Sequence, residues 1–280
     1  MKNVIVGIDF SKGSVNAMQH AVSIAAKYKA KMTLLFVISP TVENLIEEKV
    51  SKSNIVPHVE KKLKELVADC KKMLPRNVVE SKIRIGKVWK ELNTEAVEQG
   101  NALIVVGTHG CSDFQEFFIG SRAFKTINYS QCPVLTVREG IDIQRDLTDI
   151  LLIIDDTMET LQKLRHAASM AKAFQAKVHI LGLYPPGYPD IRRTIDAYVN
   201  RAEVFMMEHN VRLGTVFVEV SKKLDTVLEY ALKNDVNLII VMKEVELKGD
   251  TALMASFSQK IVNRSPIPIL TVNVDESIYP

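Results

Sequence analysis

A glycine-rich segment in the first half of the chain has a spacing that suits phosphate chemistry. Gly107 and Gly110 are followed, after nine intervening residues, by Gly120 and Ser121 in the pattern G-x2-G-x9-G-S. Glycine lets backbone N–H groups approach a ligand closely, and a helix that begins at Gly120 presents unpaired N–H groups at the positive end of its dipole. The segment is therefore a candidate anion site, although the same residues would also serve as a plain turn and helix cap.

Asp9 is the second candidate, because it directly follows the first apolar run of the chain, Val4–Ile8. The glycine-rich segment follows the fourth such run, Ala102–Val106. Open α/β sheets bind ligands beyond the carboxyl ends of their strands, at the point where the strand order reverses. If these two strands flank that point, Asp9 and the glycines share one crevice. The spacing matches neither the Walker loop nor the dinucleotide fingerprint, so by itself it leaves the ligand open.

Strands and helices are predicted to alternate along each half of the chain. The strand segments are continuous aliphatic runs, which is typical of parallel strands covered by helices on both faces. This alternation predicts a doubly wound α/β fold. Each half ends in a last helix and a fifth strand. The other predicted strands are Met32–Ile38, Ser81–Ile85, Ile150–Ile154, Val178–Leu183, Gly214–Val220 and Leu238–Met242, and the other predicted helices are Ser14–Tyr28, Val59–Met73, Lys87–Gln99, Thr160–Phe174, Ile191–Glu208 and Leu224–Lys233.

The second half of the chain repeats the first. A shift of 146 positions brings Asp9 onto Asp155, and a shift of 135 brings Pro133–Val137 onto Pro268–Val272. About eleven extra residues therefore lie in the first half after Pro40, and we place them in the stretch from Thr41 to Pro57. We predict two tandem domains of the same fold, residues 1–142 and 146–280, with the boundary near residues 140–146.

The second half has lost the glycines of the candidate anion site. The positions that match Gly107, Gly110 and Gly120 hold Met242, Val245 and Ala255, and only Ser121 keeps its type, as Ser256. Side chains at these positions would block the close approach of a phosphate, and nearby acidic residues would repel it (Glu244, Glu246 and Asp156). We therefore expect the second half either to hold another ligand or to act as a fixed partner of the first.

The combination of these features resembles the universal stress protein family. The resemblance covers both halves and rests on Val6–Ser11, the alanine-rich first helix, Gly86, Leu103–Gly110, Gly120-Ser121 and Cys132–Val137. It implies, for each half, a five-stranded parallel sheet of order 3-2-1-4-5 with helices on both faces. It also implies ATP, or ADP or AMP, in the crevice between strands 1 and 4, and leaves an accompanying Mg²⁺ open.

The G-x2-G-x9-G-S spacing is the ATP-binding signature of that family. Carried over to this sequence, the resemblance makes Asp9 a partner of the ribose or base and gives the backbone of Gly7, Ile8 and Val37 to the adenine. The phosphates would be surrounded by Gly107, His109, Gly110, Gly120, Ser121 and Arg122. Arg122 departs from the small apolar residue common there, and could either donate to a phosphate or stay solvated. His109 could equally be a turn residue without a role in binding.

Composition excludes several other classes of protein. The net charge of +3 over 280 residues is too small to indicate a nucleic-acid partner. Three widely spaced cysteines and the lack of a metal-binding histidine motif argue against a disulfide framework and a metal site. The sequence shows no apolar run of about 18 residues and no leader pattern at its start. We therefore expect a cytoplasmic protein without a membrane partner.

A few further residues are interpreted as structural. His20 and His166 occupy matching positions beside the first helix of each half, which indicates a packing role, and Trp89 is predicted to lie in the core. The basic stretch Lys61–Lys64 alternates with acidic residues at helical spacing, so it is interpreted as a solvated helix face.

The sequence leaves three functions open. The chain is an ATP-binding stress-response module, a slow ATPase or adenylyl-transferring enzyme of the same fold, or an interaction protein with both sites empty. No catalytic residue is assigned, because nothing beyond Asp9 and His109 could activate a nucleophile near the glycines. The fifth strands resemble edges that pair in this family, so the two repeats are expected to form an internal pseudo-dimer, and a homodimer of whole chains stays open.

Overall fold

The computed structural model describes residues 1–39, 52–108, 120–139, 146–219, 223–243 and 257–274. The chain divides into two units, Met1–Gly140 and Ile141–Pro280. His109 and Gly110 of the predicted site, and most of the segment with the extra residues, lie outside the described residues. No helix in the described part of the chain is long and apolar enough to cross a membrane.

The first unit alternates five strands with four helices in its described residues. The elements in chain order are β1 (Asn3–Ile8), α1 (Lys12–Tyr28), β2 (Lys31–Ile38), α2 (Lys52–Met73), β3 (Val79–Ile85), α3 (Val88–Gln99), β4 (Ala102–Gly107), α4 (Ser121–Tyr129) and β5 (Val134–Val137). All its strand pairs are parallel, in the order β3-β2-β1-β4-β5.

The second unit repeats this arrangement. Its elements are β6 (Asp149–Ile154), a short 3₁₀ helix (Met158–Leu161), α5 (Leu164–Phe174), β7 (Lys177–Tyr184), α6 (Pro189–Glu208), β8 (Arg212–Glu219), α7 (Lys223–Lys233), β9 (Leu238–Met242), α8 (Phe257–Arg264) and β10 (Ile269–Val272). The strands are parallel in the matching order β8-β7-β6-β9-β10. The predicted pair of doubly wound domains with order 3-2-1-4-5 is confirmed.

The aliphatic strands form the core of each unit, as their composition predicts. In the first unit, β1 carries Val4, Ile5 and Val6 with no exposed surface, and α1 packs against β1 and β4. The α1 face toward the sheet includes Ala17, Ala21 and Ala25, whose small side chains let the helix lie close to the strands. Each fully buried valine or isoleucine contributes roughly 1.5–3 kcal/mol of apolar burial.

Two structural predictions from the sequence are wrong. The helix predicted to run from Thr160 to Phe174 is broken: a 3₁₀ turn ends at Leu161, and α5 begins only at Leu164. The side chain of Lys163 turns inward there and donates to Thr160 Oγ1. Trp89 is not a core residue but is half-buried on α3, where its ring lies 4.5 Å from that of the exposed Tyr129.

The paired histidines behave differently from one another. His20 is buried on α1, as the packing interpretation expects. His166 is only half-buried, and its buried Nδ1 has no hydrogen-bond partner. Burial lowers the pKa of His166 below its ordinary value, so the ring is favoured in its neutral form.

Candidate functional site

The strand order of the first unit reverses at β1, which lies between β2 and β4. Val6 is in register with Val105 of β4, and Ile8 with Phe36 of β2. The carboxyl ends of β1 and β4 are therefore adjacent, with Asp9 after one and Thr108 after the other. This is the position at which open α/β sheets bind their ligands.

Three of the predicted residues lie in these strands. Gly7 and the buried Ile8 close β1, and Val37 lies near the end of β2. A Cβ at Gly7 would lie 3.2 Å from Val106 Cγ1, so the absence of a side chain lets β4 pack tightly beside β1. The structure brings Gly7, Ile8 and Val37 together at one end of the sheet.

Asp9 is part of the turn that starts α1. Its Oδ1 accepts hydrogen bonds from the backbone N of Ser11 at 3.0 Å and from Ser11 Oγ at 2.5 Å. Ser11 is the N-cap of α1, and its Oγ accepts from Ser14 N at 3.1 Å. One carboxylate oxygen of Asp9 is therefore bonded to the N-cap residue in an Asx turn, which holds the side chain at the edge of the crevice.

Packing requires a glycine at position 107, for a reason that the sequence does not show. A Cβ at this position would lie 2.8 Å from the carbonyl carbon of Gly13 and 3.1 Å from the backbone N of Ser14. Real Cβ atoms do not approach backbone so closely, so the start of α1 can rest against the end of β4 only if residue 107 is glycine. This contact brings the α1 cap and the end of β4 to the same place.

The start of α4 lies beside the end of β4. The backbone N of Gly120, the N-cap, donates to the carbonyl oxygen of Thr108 at 2.6 Å, and Phe124 N makes the first intrahelical bond to Gly120 O at 3.1 Å. Helix geometry leaves the N–H groups of residues 121–123 without intrahelical partners. These groups and the positive end of the helix dipole suit an anion at the carboxyl end of β4.

Arg122 lies exposed in the first turn of α4. Its backbone carbonyl accepts a hydrogen bond from Thr126 Oγ1 at 2.8 Å, which ties the residue to the helix, while its side chain faces solvent. The position is compatible with both sequence interpretations, donation to a phosphate and plain solvation.

The second unit has the same turn at its aspartate. Asp155 Oδ1 accepts from Thr157 N at 3.0 Å and from Thr157 Oγ1 at 2.6 Å, as Asp9 does from Ser11. The aspartate therefore has the same turn geometry in both units, including the one without the glycines. It follows that the turn at Asp9 does not by itself distinguish the unit with the signature glycines from the unit without them.

A lysine is buried beside this turn in the second unit. Lys163, at the position that matches Ala17, is 1% exposed, and its Nζ donates to Thr160 Oγ1 at 2.8 Å. Burial lowers the pKa of Lys163 to about 8, with Asp155 opposing part of that effect. Burial by itself raises the pKa of Asp155. The charges of Lys163 and Lys223 and the bonds from Thr157 outweigh burial and hold the pKa below its ordinary value, so the carboxylate is ionised.

The sequence interpretation missed an ionic network between β3 and α3. Glu95 has no exposed surface and accepts from Lys82 Nζ at 2.7 Å and from Arg84 at 2.5 and 3.0 Å. Arg84 also reaches Glu98. Burial raises the pKa of Glu95, but bonds from Lys82, Gln99 and Arg84 outweigh it and hold the pKa below its ordinary value. The signal available in the sequence was that every second residue of β3 is charged: Glu80, Lys82 and Arg84.

The equivalent place in the second unit holds a histidine network instead. His179 on β7 lies 2.9 Å from Tyr230 Oη through Nδ1 and 2.9 Å from Asp149 Oδ1 through Nε2. Burial raises the pKa of Tyr230, and the charge of Asp149 adds to the effect. The first network joins β3 to α3, and the second joins β6 and β7 to α7, so we interpret both as structural. Within the described residues, no group of three or more metal-ligating side chains is positioned to hold a metal ion.

Comparison with known proteins agrees with this architecture. The model of the universal stress protein family matches residues 1–138 and again residues 147–273. The chain is 29% identical over 150 residues to universal stress protein YxiE of Bacillus subtilis, covering 48% of this chain and 97% of that one. It is 27% identical over 186 residues to a universal stress protein of Mycobacterium tuberculosis, covering 66% of each.

A solved structure supports the fold over the whole length. A universal stress protein of Archaeoglobus fulgidus superposes with a TM-score of 0.73 at 16% identity, covering 98% of both chains. At that identity the likeness concerns the fold alone, and the family follows from the two matches to the family model. The chain therefore belongs to the universal stress protein family and carries two of its domains in tandem.

Proposed function

We propose that this protein is an ATP-binding stress-response protein that holds one nucleotide per chain, in its N-terminal unit. The observation that carries the proposal is the meeting of three features at the carboxyl ends of β1 and β4. These are the Asp9 turn, the close packing of Gly107 against the start of α1, and the start of α4 at Gly120. Such a junction suits a ligand with both a polar sugar and an anionic tail.

The nucleotide then lies across the crevice, with its base, sugar and phosphates at different residues. The backbone at Gly7, Ile8 and Val37 lines the adenine, and Asp9 faces the ribose or base. The phosphates lie at Gly107 and at the start of α4, where residues 121–123 provide N–H donors and Arg122 a charged one. His109 and Gly110 belong to the proposed phosphate site by their place in the signature. ADP and AMP would occupy the same crevice with fewer phosphate contacts.

The second unit is proposed as a partner without a nucleotide. Its positions 242, 245 and 255 carry side chains where the first unit has glycine. Lys163, where the first unit has Ala17, fills the space beside the Asp155 turn with a buried ammonium group. The pairing of the two repeats into a pseudo-dimer, and of whole chains into a homodimer, completes the proposal. Light scattering of the purified chain measures the second of these.

Isothermal titration with ATP tests the proposal. We expect one site per chain, and loss of that site in the variant Gly120→Asp. Aspartate is a favourable N-cap, so α4 can still form, while its carboxylate repels the phosphates. A loss of about 1.4 kcal/mol weakens binding tenfold, and a carboxylate in contact with phosphate should cost at least that much.

The matched control is Ala255→Asp, which places the same charge at the equivalent position of the second unit. This control should leave ATP affinity unchanged. Two sites per chain, or equal weakening by both variants, would contradict the assignment of the site to the first unit. No heat of binding for any adenine nucleotide would favour the interaction protein without nucleotide.

A further inference from the structure

Two phenylalanine rings stack at the carboxyl ends of β1 and β2. The centroids of Phe10 and Phe36 are 5.2 Å apart and their planes are inclined by 27°. Both side chains are only half-buried, although each is a large apolar group. Phe10 directly follows Asp9, so the rings stand next to the turn at the edge of the proposed nucleotide crevice.

The backbone of Phe10 is in an unusual conformation. Its φ is 64°, in the left-handed region that bulky residues rarely adopt. Backbone strain of this kind persists where the surrounding structure requires it and is concentrated at functional sites. The residue in this conformation is a phenylalanine and not a glycine, and its ring stacks on that of Phe36.

Within the described residues, the helix that follows the second strand packs on different strands in the two units. In the first unit, α2 packs mainly against β3, the outer strand. In the second unit, α6 packs against β7, β8 and β6 and so covers the corresponding strands. The position that matches Phe36 is Gly182, where a Cβ would lie 3.0 Å from Val199 Cγ2. The side chains of α6 therefore fill the space in the second unit that Phe36 takes in the first.

The second unit lacks both rings. Asp156 stands at the position of Phe10, without a left-handed backbone, and Gly182 stands at the position of Phe36. The same unit lacks the three glycines of the phosphate signature. Within one chain, the aromatic pair and the phosphate site are thus present together in one repeat and absent together from the other.

We propose that Phe10 and Phe36 form a stacking surface for the nucleobase, so that the base contributes to affinity through its aromatic face. The inference rests on the proposed function, because it places the base of the same nucleotide. Lys62 lies with its Nζ 5.3 Å from the centroid of the Phe10 ring. An exposed lysine is held over a ring only weakly, so a base can displace its ammonium group from this face.

The surface predicts a difference between ligands with and without a base. Stacking of a base on an aromatic side chain is worth about 1–3 kcal/mol, or roughly a fivefold to hundredfold change in affinity. The experiment titrates the full chain with ATP and with inorganic tripolyphosphate. Phe36→Leu, which keeps an apolar side chain but removes the ring, should weaken ATP binding by about that factor and leave tripolyphosphate binding unchanged.

Two further variants control for effects on folding. Phe36→Tyr keeps the ring and should bind ATP as the parent protein does. Phe217→Leu removes an exposed aromatic ring from β8 of the second unit and should change neither ligand. Thermal unfolding of each variant identifies any general loss of structure, and an upfield shift of the adenine protons in the nuclear magnetic resonance spectrum, lost in Phe36→Leu, reports the stacking directly.

The outcomes separate this inference from the function on which it rests. If ATP and tripolyphosphate bind the parent protein equally well, or if Phe36→Leu weakens both alike, the stacking surface is refuted while the phosphate site stands. An unchanged ATP affinity in Phe36→Leu also refutes it and indicates that another part of the chain covers the rings. If neither ligand binds the parent protein, the nucleotide function itself fails.

Discussion

Replacing Lys163 with methionine should remove a pH dependence from the stability of the second unit. The pKa of Lys163 is about 8 in the folded protein and 10.5 in the unfolded chain. Each unit of pKa corresponds to about 1.4 kcal/mol, so burying the charged form costs roughly 3 kcal/mol relative to the neutral amine. Methionine has a similar volume and length without the charge.

The sign of the effect follows from proton uptake. The folded-state pKa is lower than the unfolded one, so between about pH 8 and 10.5 the unfolded chain binds more protons than the folded protein. The free energy of unfolding should therefore rise with pH in this window, by up to about 3 kcal/mol in total. Below pH 8 the lysine is charged in both the folded and the unfolded state, so the free-energy cost of burying its charge is fully present and does not change with pH. Lys163→Met should lack the rise and be at least as stable at pH 7.

Urea denaturation between pH 7 and 10.5 measures this. Circular dichroism follows both units, whereas fluorescence of the single tryptophan, Trp89, follows the first unit and serves as an internal reference. Lys172→Met, on the exposed face of α5, the helix that begins directly after Lys163, is the control and should keep the parent slope. Equal slopes for the parent protein and Lys163→Met, or a large loss of stability at pH 7, would refute the reasoning.

Three further variants test the remaining structural arguments. Glu95→Gln should destabilise the first unit by about 1.5–3 kcal/mol, because Lys82 and Arg84 lose a charged partner; Trp89 fluorescence in urea measures this, and an unchanged midpoint would show the network to be unimportant. Gly107→Ala should cost about 1–3 kcal/mol by overpacking against α1, and should also weaken ATP binding in calorimetry; unaltered unfolding would contradict the close contact. Tyr230→Phe removes one hydrogen bond to His179 and should cost about 1 kcal/mol, read by circular dichroism; no change would mean that the bond contributes nothing net.

The fold was predictable because its signals are local and repeated. Runs such as Val4–Ile8 and Ile150–Ile154 can be buried on both faces only in a sheet covered by helices. The repeat then requires the second unit to have the same strand order as the first. The broken helix at Thr160 was not predicted, because the change from alanine to Lys163 acts through burial and a contact with Thr160 rather than through helix propensity.

For the candidate site, the sequence proposes residues, and the structure adds packing and turn roles that the sequence does not show. The sequence assigns Gly107 to the phosphates, whereas the structure shows that the glycine is also required by the backbone of Gly13. It assigns Asp9 to the ligand, whereas one oxygen of Asp9 caps a turn that the second unit shares. Such contacts join residues whose distance in space depends on helix packing, which residue types alone do not specify.

The sequence by itself determined the two repeats, the order of elements in each, and the loss of the glycines of the G-x2-G-x9-G-S pattern from the second. It could do so because periodic burial and glycine spacing are properties of neighbouring residues. Only the tertiary structure decided that Phe10 and Phe36 meet, since their contact depends on the β1–β2 register that sets Ile8 beside Phe36. It also decided that Lys163 is buried, because burial results from the packing of several elements around one side chain.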